Sequence, residues 1–179
     1  MSVSAEDRRR MLLNKLKKES RPMIGSDLAD VFGVSRQVIV QDIALLRAQG
    51  EEILATARGY MVPQDSNMVE KTVACKHKPE DIEEELLTVI KYGGRIRDVI
   101  VEHPIYGEIK GMLMVQNRKD LEDFLENYRG EDVKPLSTLT EGVHLHTIEA
   151  LNQEVLELIE DKLREKGFLL ESEYEIGRS

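Results

Sequence analysis

The chain has 179 residues, room for one medium domain or two small ones. Hydrophobic residues make up 41% and charged residues 33%, which excludes a disordered chain, and a single Cys excludes an internal disulfide framework. No long apolar run offers a membrane span or secretion signal, so a soluble cytoplasmic protein with no membrane partner is expected. The net charge of −9 is unevenly spread. Residues 1–62 hold ten Lys and Arg against eight Asp and Glu, a balance of +2, while the remainder holds fifteen against twenty-six, a balance of −11. Phosphate affinity depends on where cations sit, so the acidic total does not exclude nucleic-acid binding by the first third.

Residues 5–18 are predicted to form a helix with Met11, Leu12 and Leu16 on its apolar side, and Arg21-Pro22 breaks it. Ser26 is expected to cap a second helix whose apolar face is Leu28, Ala29, Val31 and Phe32, closed by Gly33. Ser35 caps a third, running to about Gln49 with Gly50 as its stop. Ile53–Thr56 and Tyr60–Val62 are strand candidates around Ala57-Arg58-Gly59, the pattern of a hairpin. The polar stretch Pro63-Gln64-Asp65-Ser66-Asn67 reads as a linker, so the expected domains are 1–62 and 69–179, joined by residues 63–68.

On the third helix Ile39, Ile43 and Leu46 recur at i, i+4 and i+7 and fix the buried stripe. Gln37, Gln41 and Ala44 then point outward, flanked by Val38 and Val40. Gln pairs bidentately with adenine in the major groove, and Val contacts a thymine methyl. Arg36, in the first turn with Ser35, is placed to grip a phosphate, and Arg58 at the hairpin tip to reach the backbone or minor groove. Polar residues on an exposed helix also fit an ordinary three-helix bundle. The joint pattern is more specific. Leu28-Ala29, Phe32-Gly33-Val34-Ser35-Arg36, Ile39, Asp42-Ile43, Leu46 and Gly50, followed by a Gly-containing hairpin, resembles the winged helix-turn-helix of bacterial regulators.

Beyond the linker an α+β module is expected, with strands and helices interleaved. Strands are predicted at Val69–His77, Arg97–Glu102, Gly107–Val115, Val143–Ile148 and Phe168–Leu170. Helices are predicted at Pro79–Tyr92, with Pro at its first position, at Lys119–Tyr128, and at Leu151–Lys166 closed by Gly167. All four histidines fall in this module: His77, His103, His144 and His146. His144 and His146 alternate on a strand and share a face, which suits a pair of metal ligands or a polar strand surface equally. In the helix after His77 the stripe is Ile82, Leu86, Val89 and Ile90; Glu84 points to solvent and Glu85 borders the stripe. Imidazole with carboxylate suits zinc, nickel, iron or manganese rather than calcium or magnesium.

The segments Lys76-His77-Lys78-Pro79, His103-Pro104-Ile105-Tyr106-Gly107 and Gly142-Val143-His144-Leu145-His146-Thr147 resemble the three-histidine ligand-binding domain. Joined to a winged helix-turn-helix, they are similar to the niacin-responsive transcriptional repressors of NAD biosynthesis and niacin uptake. That resemblance implies a non-enzymatic repressor acting as a homodimer on operator DNA, with nicotinic acid as corepressor. It also implies one divalent transition-metal ion per chain, nickel or zinc, held by His77, Glu85, His144 and His146. Cys75 lies on the strand face of His77 and reads as core packing; His103 either lines the effector pocket or caps the turn before Pro104. Two other functions remain open to the sequence, a regulator sensing the metal itself and a metal-dependent hydrolase with His103 as base. The hydrolase lacks a zincin motif, a nucleophile elbow or a phosphate-binding Gly loop.

Overall fold

The computed structural model describes residues 3–171 except 65, 131 and 133; Asp65 of the expected linker and the two ends of the expected domains, 1–2 and 172–179, lie outside the described residues. The chain divides into two compact units between Ser66 and Asn67.

In the first unit α1 spans Ala5–Lys18, α2 Gly25–Phe32 and α3 Arg36–Ala48, and a short hairpin follows, β1 Leu54–Thr56 with β2 Gly59–Met61. Ser4 caps α1, and its side chain accepts from the Asp7 N–H. Leu12 and Leu16 are buried, but Met11 lies one position further round the helix and is exposed. Ser26 does not cap α2. The helix begins two residues earlier, at Gly25, after an extended Ile24 whose side chain makes no cap bond. The entry is fixed instead by the backbone, because Met23 and Tyr60 exchange N–H···O bonds of 2.8 and 2.9 Å. That pairing needs Gly59, whose φ is +123° and where a Cβ would stand 2.2 Å from the Met23 carbonyl oxygen. Val31 is likewise exposed rather than on the apolar face, so Leu28 and Ala29 carry the contact, with half-buried Phe32 packed beside them. Gly33 ends α2 in the left-handed region and Ser35 caps α3, as the sequence predicts. Leu12, Leu16, Leu28, Ile39, Ile43, Leu46 and Ile53 form the core, and each such side chain contributes about 1.5–3 kcal/mol on full burial.

The second unit contains β3 Val69–Lys76, α4 Ile82–Lys91, β4 Arg95–His103, β5 Gly107–Val115, α5 Arg118–Gly130, β6 Val143–Ala150 and α6 Gln153–Glu165. Its strands run in the order β5-β4-β6-β3 and every neighbouring pair is antiparallel. One face of the sheet, with Val73, Cys75, Ile96, Leu113, Val115, Ile148 and Ala150, packs against Leu86 and Val89 of α4, Leu121 and Leu125 of α5, and Leu156, Ile159 and Leu163 of α6. Three expectations shift. Pro79 opens a single 3-10 turn, Pro79–Asp81, before the α-helix starts at Ile82. Asn152 accepts from the Val155 N–H and so caps α6, leaving Leu151 outside it and exposed. Phe168–Leu170 makes only a bridge from Leu169 to Cys75. A second 3-10 turn, Leu136–Thr140, has no apolar period to announce it.

Candidate functional site

The register of the sheet builds the site in the second unit. His146 pairs with Val73 and His144 with Cys75, so both imidazoles project from the face covered by the helices. His77 follows the last residue of β3, and Glu85 comes down from the first turn of α4. Glu85 is 1% exposed, and all three imidazoles meet it. Its Oε2 lies 2.6 Å from His77 Nε2 and 3.3 Å from His146 Nε2, while its Oε1 lies 3.3 Å from His144 Nε2.

The other nitrogen of every ring is occupied. Nδ1 of His77 lies 2.8 Å from the Lys78 carbonyl oxygen, Nδ1 of His144 2.8 Å from that of Gly142, and Nδ1 of His146 2.6 Å from that of Asp98. A carbonyl only accepts, so each Nδ1 carries the proton and donates. In a neutral ring Nε2 then presents a lone pair, and here it faces a carboxylate oxygen. Acceptor against acceptor is unfavourable. A proton on each ring or a shared cation at the centre relieves it. Burial alone pushes the His77 and His146 imidazoles down, but the hydrogen bonds and charge of Glu85 outweigh it and raise both above the ordinary imidazole range. Burial pushes the Glu85 carboxyl up, but the charge of His146 and the three imidazole hydrogen bonds hold it well below the usual carboxylate range.

Backbone features aim the ligands. Between Ile96 and Asp98 the ladder of β4 is irregular, a bulge that turns the Asp98 carbonyl toward His146 and sets its carboxylate 3.0 Å from the Thr147 N–H. Gly142 has φ +94°, and a Cβ there would lie 2.5 Å from the His77 carbonyl oxygen. The preceding Glu141 is also left-handed, at φ 52°. Only a glycine lets the entry to β6 pass this close to the first histidine. Neither Asp98 nor Gly142 stands out in the sequence as a positioning residue, because bulge and clash are tertiary facts.

His103 is not in this cluster. It ends β4, four residues beyond the Val99 that pairs with His146, about 13 Å along the strand. Its Nδ1 accepts from the N–H groups of Ile105 and Tyr106, at 3.1 and 3.3 Å, and its ring lies against that of Tyr106. These are the contacts of a turn cap, and they do not bear on the effector role.

In the first unit Arg36, Gln37 and Gln41 are exposed on α3, Val38 is half-buried beside them, and Ser35 accepts from the Val38 N–H at 3.3 Å. Arg58 sits half-buried in the hairpin, its N–H donating to Thr56 Oγ1. Asp42, on the opposite side of α3, is buried and takes Arg8 through Nε at 2.7 Å, with Arg9 at 3.6 Å. Two of the three consecutive arginines of α1 are thus held at an internal carboxylate.

Comparison with known proteins agrees in both halves. Residues 8–61 match a helix-turn-helix (HTH) domain model and residues 70–172 the 3H domain model. The chain is 47% identical over 171 residues to the probable transcription repressor NiaR of Thermotoga maritima, covering 96% of this chain and 98% of that protein. It is 38% identical over 174 residues to the transcription repressor NadR of Bacillus subtilis, covering 95% and 97%. These relatives are repressors rather than enzymes, which sets the hydrolase reading aside. The chain therefore belongs to the family that its histidine motifs resemble, the niacin-responsive transcription repressors built from a helix-turn-helix and a 3H domain.

Proposed function

We propose that this repressor acts as a cytoplasmic homodimer on operator DNA, with nicotinic acid as corepressor sensed beside a divalent metal ion, nickel or zinc, held by His77, Glu85, His144 and His146. The observation that carries the reading is the tautomer pattern, three Nε2 atoms freed by backbone carbonyls and converging on one buried carboxylate. Such carbonyl-held imidazoles are the usual second shell of histidine metal sites. Two of the three N···O separations, at 3.3 Å, are close to the spacing of neighbouring ligands around one tetrahedral ion with bonds of about 2.1 Å. A bound ion supplies a Lewis-acidic position that an aromatic ring nitrogen such as that of nicotinate can take.

An open cavity of about 1010 Å³ borders His77, and Lys76, Lys78, Lys166 and Phe168 are among the residues that line it. Phe168 packs its ring edge against His77, with centroids 5.3 Å apart. Glu80, Asp81, Glu84 and Glu141 line it too and Lys166 is bridged to Glu84, so Lys76 and Lys78 are the cations proposed to meet an aromatic carboxylate. On the DNA side, the roles proposed for Gln37, Val38 and Gln41 are base contacts, and for Ser35, Arg36 and Arg58 backbone contacts. Each subunit carries one recognition helix, so a two-fold operator matches a two-fold dimer.

Nicotinate acts only by favouring the DNA-competent form over the incompetent one, and operator DNA must then tighten nicotinate binding by the same factor. Titrating nicotinate by calorimetry with and without saturating operator, at fixed metal and salt, measures that factor. The expected ratio is about 5–150. A ratio of one overturns the corepressor role, and metal-dependent operator binding alongside it would make the protein a metal sensor. A ratio below one makes nicotinate an inducer.

A further inference from the structure

The cluster contains a donor that the three imidazoles and the carboxylate do not account for. Cys75 stands directly opposite His144 in the ladder, on the same covered face, and is fully buried. Cross-strand partners on one face hold their Cβ atoms about 4.5–5.5 Å apart. Its Sγ, a carboxylate oxygen of Glu85 and a ring nitrogen of His144 all lie within 4.8 Å of one another. Donors bound to one ion at about 2.3 Å for sulfur and 2.1 Å for nitrogen are at most about 4.4 Å apart. For these three donors a closure of about 0.4 Å by side-chain rotation is enough to share one ion.

Charge gives an independent reason. Three neutral imidazoles and Glu85 around a divalent ion leave a net positive charge in a site where Glu85, His144 and His146 are all buried. Uncompensated buried charge is costly, and one further anion removes it. The cluster offers a thiol, which loses its proton on binding a metal ion.

We propose that Cys75 is a fifth ligand, bound as thiolate, which makes the centre charge-neutral and turns its preference toward thiophilic divalent ions such as zinc. The inference rests on the metal reading above. As the sulfur–metal bond forms, the thiol proton leaves to solvent and no redox change occurs. The soft donor separates this site from one built of nitrogen and oxygen alone.

Because Cys75 is the one cysteine in the chain, any thiolate signal is its own. The test is cobalt(II) added to the metal-stripped full-length protein, followed by absorption. The expected result is a near-ultraviolet sulfur-to-cobalt charge-transfer band that saturates at one equivalent, together with visible ligand-field bands. Cys75→Ala should lose the ultraviolet band and keep the visible ones. If that variant does not fold, the wild-type spectrum alone still decides. Bound cobalt with ligand-field bands but no charge-transfer band overturns the role of Cys75 and leaves the His and Glu ligands standing. No cobalt binding at all overturns both.

Discussion

Asp42 in the first unit and Glu85 in the second are both buried carboxylates, and the two are neutralised in opposite ways. Asp42, on the core side of α3, is met by the guanidinium of Arg8, a cation fixed by the chain itself and charged at every working pH. Glu85, under α4, is met by three imidazoles that are cationic only when protonated, each already committed to a backbone carbonyl. The first arrangement is closed, and it orients α1 against the recognition helix. The second is open, because at neutral imidazole the acid still lacks a counter-charge. A buried acid with a permanent partner builds structure. A buried acid with titratable partners waits for a cation.

That contrast is broken most severely at the open site. His144→Ala with His146→Ala is expected to reduce the metal content from one ion per chain to none, read by elemental analysis. With metal at a thousandfold excess over Kd, the intact site should gain about 4 kcal/mol of stability on loading and the double variant nothing. Metal retained by the double variant refutes the ligand assignment.

At the closed site, Arg8→Ala should destabilise the protein by about 3 kcal/mol in urea denaturation, since it strips the main partner from a buried charge. The remaining Arg9 contact, at 3.6 Å, limits the loss. Metal content should be unchanged. A change in metal content with Arg8→Ala would mean that the two carboxylates are not independent.

The base-reading face gives a smaller effect. Gln37→Ala and Gln41→Ala should each cost roughly 1–3 kcal/mol of discrimination between operator and unrelated DNA, whereas Arg36→Ala should weaken both alike. Selectivity unmoved by both Gln changes would place the reading face elsewhere.

The smallest effect is the pH dependence of the metal-free protein. The raised imidazoles of His77 and His146 contribute stability that is complete below the ordinary imidazole range and is lost as pH rises through their folded values. The depressed Glu85 contributes stability present above the ordinary carboxylate range and lost as pH falls through its folded value. Thermal melts of the stripped protein should therefore weaken on the alkaline side of the imidazole range, and added metal should restore most there, where it replaces the missing protons. A metal-induced shift in Tm that shrinks as pH rises would contradict the open-site picture.

How much of this the sequence foretells depends on range. The first unit is legible because its signals are local. The i, i+4, i+7 stripe of Ile39, Ile43 and Leu46 sits inside one helix, and the same angular arithmetic that buries them exposes Gln37 and Gln41. Where a partner distant in the chain intervenes, the reading slips. Ser26 loses its cap role because Tyr60 already holds Met23, and Asp42, legible only as part of the helix-turn-helix pattern, gives no sign of its partner because Arg8 lies 34 residues away. In the second unit the His-x-His alternation and the inward lean of Glu85 are legible for the same local reason. Their convergence is not, since His146 and Glu85 are 61 residues apart and meet only once β3, β6 and α4 are stacked. The Asp98 bulge and the close approach at Gly142 have no signature along the chain. The turn-capping contacts of His103 show only once the N–H groups its ring accepts are in view.

β3 has one more consequence. It is the strand by which the chain enters the second unit, and it ends one residue before His77. Along its inner side it is laddered to β6 through all eight residues, but on its outer side only the far end is stitched, by the Phe168–Leu170 segment. Mechanically it is a tether clamped at its distal end. A pull arriving from the N-terminal side is borne first by hydrogen bonds near Val69 and last by the clamp, where His77, Glu85 and the Gly142 turn meet. Whatever tightens that clamp shortens the length of chain able to peel from the sheet. Hydrogen exchange of the amides from Val69 to Lys76 would measure that length directly.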